Sequence, residues 1–191
     1  MDINADLITR TINGDEIAFQ SIYNIASGKV YSICLRYSKD ITEANLYFEE
    51  SYVNIYKNLK CYNYQESFKN WVSADAVNTC LFLIKKNNYS NLFTDSLINE
   101  EKIIKTYKKN KSKFSLQNQL IIALQNMSVG YRTILNLYYI DQHELSTIGE
   151  LLGLSLADCR LRLKTAKILF KQQLPDKISN EMLYRNASFN G

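Results

Sequence analysis

A row of basic residues near the carboxyl end of the sequence has the spacing of one helix face. Arg160, Lys164, Lys167 and Lys171 follow one another at steps of four, three and four residues, so on a helix they share one stripe. Lysine and arginine bind DNA phosphates, and arginine also hydrogen-bonds base edges in the major groove. Two interpretations of the stripe are open: the helix lies on DNA, or the stripe is the solvated face of an ordinary bundle helix.

Residues that could support catalysis or hold a metal are scarce. His143 is the single histidine, and Cys34, Cys61, Cys80 and Cys159 lie far apart without a CxxC pair. The sequence contains no glycine-rich phosphate loop, no GxSxG and no HExxH motif. We therefore expect no enzyme activity, no metal site and no cofactor, and we expect reduced thiols in a cytoplasmic protein.

The beginning of the sequence and its hydropathy give no sign of membrane insertion. The first residues, MDINADLITR, are acidic and polar, unlike a secretory signal peptide. No apolar run approaches the ~18 residues of a membrane span. The net charge of +4 is too small to identify a nucleic-acid partner, so the local arrangement of charge must decide.

The basic stripe needs an apolar stripe beside it that fixes its direction. On the same helix, one adjacent face carries apolar residues that we expect to face the core, namely Leu156, Cys159, Leu163, Ala166 and Phe170. Arg162 falls on the opposite flank of this core stripe. The core therefore sets where the cations point.

A tight turn precedes the basic helix. An apolar-patterned helix ends at Gly153, and Ser155 followed by Asp158 gives a start that resembles a capping box. Gly153, Leu154 and Ser155 would form the turn. Two short helices joined in this way predict a helix-turn-helix, whose second helix can enter the major groove.

Apolar residues recur at helical spacing through nearly all of the remaining sequence. One long stripe runs over residues 15–37, and further stripes follow Thr42 and Ser67, which we expect to cap their helices, as Asp2 would cap the first helix. A single proline and six glycines argue against a sandwich or barrel. The fold class predicted is all-α.

Composition divides the chain into two helical domains. We place the first at residues 1–86, with a net charge of −1 from 9 basic and 10 acidic residues, and the second at residues 115–174. The polar, lysine-rich residues 87–114 are typical of a linker, with a short helix near 97–107. Residues 175–191 read as a loose tail.

Three stretches of the sequence resemble one family of transcription factors. They are AFQSIYNIASGKVYSICLRYSKDITEANLYFEESYVNIYKNL, FKNWVSADAVN and ALQNMSVGYRTILNLYYIDQHELSTIGELLGLSLADCRLRLKTAKILF. They are similar to the extracytoplasmic-function (ECF) sigma factors of bacterial RNA polymerase, over about residues 14–86 and 119–174 in the family's order. The resemblance implies a first, region 2-like domain that binds the polymerase clamp and opens the −10 promoter element. It implies a second, region 4-like domain that reads the −35 element with a helix-turn-helix.

The resemblance also implies functional residues and partners. The DNA-binding residues would be Ser155, Arg160, Arg162, Lys164, Lys167 and Lys171. The −10 candidates would be Tyr62, Asn63, Tyr64 and Asn78. The polymerase-binding candidates would be Glu49, Glu50 and Tyr52. The partners implied are core RNA polymerase, promoter DNA and an anti-sigma factor, while Trp71 is expected in the core rather than on DNA.

Several positions depart from the family's pattern. Asp158 stands where threonine is frequent, Leu161 where a small polar residue is common, and Leu46 where the acidic stretch usually continues. After NWV, where the family carries arginines, this chain has Ala74, Asp75 and Val77. Two hypotheses follow: a working sigma factor, or a sigma-like regulatory protein that has lost promoter opening and binds polymerase, DNA or a partner protein.

Overall fold

The chain folds into two compact units, Met1–Ser90 and Asn91–Gly191. The computed structural model describes residues 3–87 and 115–174. Every regular element in these residues is helical, which confirms the all-α prediction.

Four sequence predictions lie outside the described residues. They are the cap at Asp2, the linker at 87–114 beyond its first residue, the short helix near 97–107 and the loose tail at 175–191.

Residues 3–87, the described part of the first unit, contain four α-helices and one short 3-10 turn. They are α1 (Ala5–Ile12), α2 (Glu16–Tyr37), α3 (Ile41–Asn58), the 3-10 turn Leu59–Cys61, and α4 (Phe68–Lys86). Ser67 caps α4 as predicted, since its side chain accepts a hydrogen bond from the Asn70 N–H.

The cap of α3 differs from the prediction, which placed it at Thr42. Asp40 is the N-cap, and its Oδ1 accepts from the Glu43 N–H at 2.8 Å. Glu43 Oε2 accepts from the Lys39 N–H at 2.6 Å. The sequence carried this signal, because an aspartate followed three residues later by a glutamate is a capping-box pattern.

Helices α2, α3 and α4 pack against one another and enclose the core of the first unit. The fully buried side chains of this core include Val30, Ile33, Cys34, Tyr37, Ala44, Val72, Ala76, Cys80 and Ile84. Cys61 is exposed, and all four cysteines are free thiols. Two polar contacts also join α3 to α4: Asn54 Nδ2 donates to Thr79 Oγ1 at 3.1 Å, and Asn58 Nδ2 donates to Asp75 Oδ1 at 2.9 Å.

The described part of the second unit contains three short helices and a longer fourth, as the sequence predicts. They are α5 (Leu116–Gln125), α6 (Val129–Leu135), a π-helical turn (Asn136–Ile140), α7 (Leu145–Leu152) and α8 (Leu156–Gln173). Helix α8 packs against α5, α6 and α7, so the basic helix also forms one wall of its unit's core.

A buried cation organises the turn between α5 and α6. Arg132 has only 2% of its surface exposed, and its Nη1 donates to the carbonyls of Gln125 and Met127 at 3.2 and 3.1 Å. The Asn136 side chain donates to the Arg132 carbonyl at 3.0 Å. A cation here also suits the negative end of α5.

In the described ranges, no helix is long and apolar enough to cross a membrane.

Candidate nucleic-acid interface

The turn between α7 and α8 brings two backbone segments into close contact. Gly153 ends α7 in the left-handed region (φ 68°, ψ 38°), and the Leu154 N–H donates to the Gly149 carbonyl at 2.9 Å. A Cβ at Gly149 would lie 2.8 Å from the Leu154 carbonyl oxygen and 3.6 Å from Cys159 Sγ. Both glycines are therefore needed for this geometry, a tight helix-turn-helix.

Helix α8 begins with a reciprocal pair of hydrogen bonds. Ser155 Oγ accepts from the Asp158 N–H at 3.1 Å and donates to Asp158 Oδ2 at 2.6 Å. This confirms the capped start predicted from the sequence. The Ser155 hydroxyl and the Asp158 carboxylate are thereby held together at the first turn.

The apolar stripe of α8 faces the core for most of its length. Cys159 and Ala166 are fully buried, Leu163 is buried and Phe170 is half-buried. The prediction was wrong for Leu156, which is 44% exposed. Side chains tilt toward the helix N-terminus, so a residue at the first position extends beyond the turn rather than onto a neighbouring helix.

The basic stripe divides into an outer and an inner pair. Arg160 and Lys164 are exposed, whereas Lys167 and Lys171 are half-buried. Lys167 Nζ lies 5.9 Å from the centroid of the Tyr139 ring, a distance at which a cation is attracted to an aromatic face. The outer pair occupies the amino-terminal half of α8, where a recognition helix meets base edges.

Arg162 lies on the other flank of α8, as the spacing predicts. Its side chain is half-buried and interacts within the chain. The structure therefore does not bring Arg162 onto the stripe formed by Arg160 and Lys164.

The polymerase-binding candidates on α3 do not share one environment. Glu49 and Glu50 are exposed, but Tyr52 is half-buried and its hydroxyl donates to the Tyr23 carbonyl at 3.1 Å. Its ring lies 4.8 Å from Tyr23 and 4.9 Å from Phe48, centroid to centroid, and burial raises the pKa of this phenol. Tyr52 therefore lies in an aromatic cluster whose members Tyr23 and Phe48 are also half-buried, and its role as an aromatic anchor for a partner stays a prediction.

Exposed apolar residues on α3, missed by the sequence reasoning, flank the two glutamates. Leu46 and Val53 are 58% and 46% exposed, and they lie three residues before Glu49 and three after Glu50. This spacing places all four side chains on the outer face of α3. The signal was present in the sequence, since apolar residues there break the polar face of an amphipathic helix.

The loop before α4 places its two tyrosines differently. Tyr62 is buried, its ring lies 5.3 Å from Phe68 and 5.5 Å from Trp71, and its hydroxyl donates to the Glu66 carbonyl at 2.7 Å. Tyr64 is 48% exposed with a φ of 62°. The ring of Tyr62 is thus packed inside the loop while that of Tyr64 is accessible, and the base-stacking role of both stays a prediction.

The other two −10 candidates are accessible. Asn63 is exposed and its side-chain oxygen accepts from the Gln65 N–H at 3.1 Å. Asn78 is exposed on α4. With Tyr64, these two residues are the exposed polar or aromatic groups of the predicted −10 set.

Trp71 is half-buried and stacks on Phe68 with a ring separation of 5.7 Å. Trp71 thus lies at the edge of the core, and the expectation of a core position is met only in part.

Helix α4 lacks cations over most of its length. No lysine or arginine occurs between Lys69 and Lys85. At the positions expected to carry arginines, Val77 is buried and Asp75 is half-buried against Asn58 of α3. Burial raises the pKa of the Asp75 carboxyl, and the hydrogen bond from Asn58 partly opposes that effect.

The described residues were also compared with the requirements of a metal site. Within residues 3–87 and 115–174, no three His, Cys, Asp or Glu side chains cluster in a way that could hold a metal ion.

Fold and surface together define a class: a two-unit helical protein whose second unit presents a helix-turn-helix with a basic second helix. No family model matches the chain. The chain is 24% identical over 186 residues to the ECF RNA polymerase sigma factor SigW of Bacillus subtilis (strain 168), with 88% of this chain and 95% of that protein covered. The chain is thus similar to an ECF sigma factor over most of its length, which agrees with the resemblance found in the sequence.

Two solved structures are also similar to this chain. One is the sigma factor RpoE in complex with the anti-sigma factor NepR from Bartonella quintana, at 11% identity, 81% and 95% coverage and a TM-score of 0.48. The other is CnrH in complex with the cytosolic domain of CnrY, at 14% identity, 86% and 92% coverage and a TM-score of 0.43.

Proposed function

We propose that this chain is an alternative sigma factor that acts in the cytoplasm. Its first unit binds core RNA polymerase, and its second unit directs the polymerase to promoters through the −35 element. The chain carries out no covalent chemistry itself, because bond formation belongs to the polymerase. The observation that carries the proposal is the tight α7–α8 turn followed by a capped helix with exposed cations.

The α8 surface has the parts that duplex recognition requires. Arg160 and Lys164 project from the first half of the helix, and arginine is the commonest specific reader of guanine. Lys167 and Lys171 continue the stripe toward the carboxyl end, where they would contact phosphates. Ser155 fixes the start of the helix, whose positive end favours a phosphate.

The outer face of α3 is the proposed contact with polymerase. Leu46 and Val53 supply apolar area, while Glu49 and Glu50 supply negative charge for a basic partner. Apolar centres with charged surroundings are common in specific protein interfaces. An anti-sigma factor is proposed as a regulatory partner on the basis of the family resemblance alone.

A second candidate function is favoured by the neutral surface of α4. Binding melted, single-stranded DNA normally requires a cationic groove with stacking aromatics, and α4 has no cation between Lys69 and Lys85. The alternative is a sigma-like regulator that binds polymerase and duplex DNA without opening the promoter. Permanganate oxidation of unpaired thymines near the start site separates the two, since only the sigma factor exposes them.

The proposed DNA contact is tested by affinity across a salt series. DNA fragments that bind the complex of the full chain with core polymerase are selected first. The affinity of these duplexes is then measured for that complex and for the same complex with the Lys164→Ala variant. Losing one phosphate contact should lower the slope of log affinity against log salt by roughly 1. Lys29→Ala removes an exposed cation from α2 and should leave the slope unchanged. An identical slope for Lys164→Ala and the parent would remove this lysine from the interface.

A further inference from the structure

One apolar side chain stands out on the proposed DNA-binding surface. Leu161 is 64% exposed, a larger fraction than any other large apolar side chain in the described part of the second unit. Its exposed neighbours on α8 are Ala157, Asp158, Arg160 and Lys164. Leu161 therefore lies beside the basic stripe on the surface that would face DNA, where its burial in a complex would be favourable.

The fold fixes the direction in which Leu161 points. Cys159 is 0% exposed and Leu163 is 9% exposed, and each lies two residues from Leu161. Two residues on a helix are separated by about 200°, so Leu161 lies opposite the core stripe. It is the sixth residue of α8, within the first two turns, which are the part of a recognition helix that reaches base edges.

The chemistry of the major groove leaves one apolar target for such a side chain. Guanine, cytosine and adenine present only hydrogen-bond donors and acceptors there, whereas thymine also presents its C5-methyl group. Leucine can neither donate nor accept a hydrogen bond. A leucine buried against a base edge other than thymine would leave polar atoms without partners.

We propose that Leu161 is a specificity-determining residue that packs against thymine methyl groups in the promoter element. This inference rests on the proposed function, because it takes α8 as the helix in the major groove. It predicts that the element read by this chain contains thymine at the position facing Leu161, beside the bases or phosphates that Arg160 and Lys164 contact.

The test removes the methyl group from the DNA. Randomised duplexes are first selected for binding by the full chain with core polymerase, and the enriched duplex is then synthesised with deoxyuridine in place of each thymine in turn. Burial of one methyl group corresponds to about a four-fold change in affinity. We expect such a loss at one or two thymines of the enriched element.

Protein variants assign that loss to one residue. Leu161→Ser should bind thymine and deoxyuridine duplexes equally at those positions, whereas Leu161→Ala, which keeps one methyl group, should show a smaller difference than the parent. Ile168 is 51% exposed and lies two turns further along the same side, so Ile168→Ser serves as the matched control and should keep the four-fold difference.

Each other result counts against the inference. Equal binding of thymine and deoxyuridine duplexes by the parent, or a difference that persists in Leu161→Ser, would overturn the role of Leu161 while leaving the sigma-factor proposal intact. Loss of the difference in Ile168→Ser rather than in the Leu161 variants would place methyl recognition elsewhere. Failure to enrich any sequence would overturn the proposed function, and this inference with it.

Discussion

Arg132 is a charged residue with a structural role in the interior of the second unit. Its spacing within α6 gives no reason to place it in the core, yet it is almost fully buried and donates to two carbonyls at the end of α5. Sequence reasoning missed this role, because the carbonyls that need a donor are identified only when the α5–α6 turn is built. An arginine can reach them because its side chain is long and carries several donors.

Replacing Arg132 by methionine should destabilise the second unit. The change leaves the part-buried carbonyl of Gln125 and the buried carbonyl of Met127 without this donor, a loss of about 1–3 kcal/mol in the free energy of unfolding. Lys164→Met makes the same type of change on the exposed face of α8 and should stay within about 0.5 kcal/mol of the parent. Denaturant titration of the two variants measures the difference, and equal stability would contradict the structural role of Arg132.

Asp75 should make the stability of the first unit depend on pH. Its folded-state pKa is raised, chiefly by burial, so the folded protein holds this proton more tightly than the unfolded chain does. Stability should therefore fall as pH rises above the ordinary aspartate value of about 3.9 and through the raised pKa. Asp75→Asn keeps an acceptor for Asn58 and cannot ionise, so it should be the more stable protein at pH 7.

The measurement is the melting temperature of both proteins from pH 3 to pH 8. The gap between Asp75→Asn and the parent should close toward the acid end, while Glu66→Gln, in the exposed loop, should follow the parent. A gap that stays constant with pH would show that the asparagine acts through packing rather than ionisation.

At the scale of elements, the helix-turn-helix requires glycine at two positions, and the physical reason differs between them. Gly153 has a positive φ, and Gly149 lies against the Leu154 carbonyl. Gly153→Ala should cost about 1–2 kcal/mol through backbone strain. Gly149→Ala should cost about 1–3 kcal/mol because the backbone must move to admit a methyl group.

Gly28 supplies the matched control within α2. It is exposed, and a Cβ there would meet nothing within 4 Å. Gly28→Ala should therefore stabilise the protein by about 0.5–1 kcal/mol. Calorimetric melting of the three variants decides the matter, and stabilisation by Gly149→Ala would mean that the turn is not as tight as described.

The spacing of apolar and capping residues was sufficient to predict the helices. Which of their residues are buried or exposed could be known only from the tertiary structure. The α7–α8 turn, the caps at Ser67 and Ser155 and the core stripe through Cys159 all follow from spacing and turn chemistry. Spacing did not predict the exposure of Leu156 or the burial of Tyr62. Burial of a residue at a helix end or in a loop is set by neighbours distant in sequence, which periodicity does not report.

At the scale of the whole molecule, the account assigns polymerase binding to the outer face of α3. Replacing Glu49 and Glu50 together by lysine should weaken capture of core polymerase by the full chain, because charge complementarity with a basic surface is reversed. Both side chains are exposed, so the fold should survive the change.

Reversal of two other exposed glutamates gives a control of equal charge. Glu16→Lys combined with Glu66→Lys alters residues outside α3 and should leave capture unchanged. Unaltered capture by the Glu49 and Glu50 variant would move the polymerase contact to another surface.

The central claim is that this chain directs polymerase to promoters, and it is tested most directly by transcription in vitro. Purified chain and core polymerase are incubated with genomic fragments of the source organism, and transcript starts are mapped. We expect discrete starts that share an upstream element, and their loss when Arg160 and Lys164 are both replaced by alanine in a chain that still captures polymerase. Starts no different from those of core polymerase alone would contradict the account.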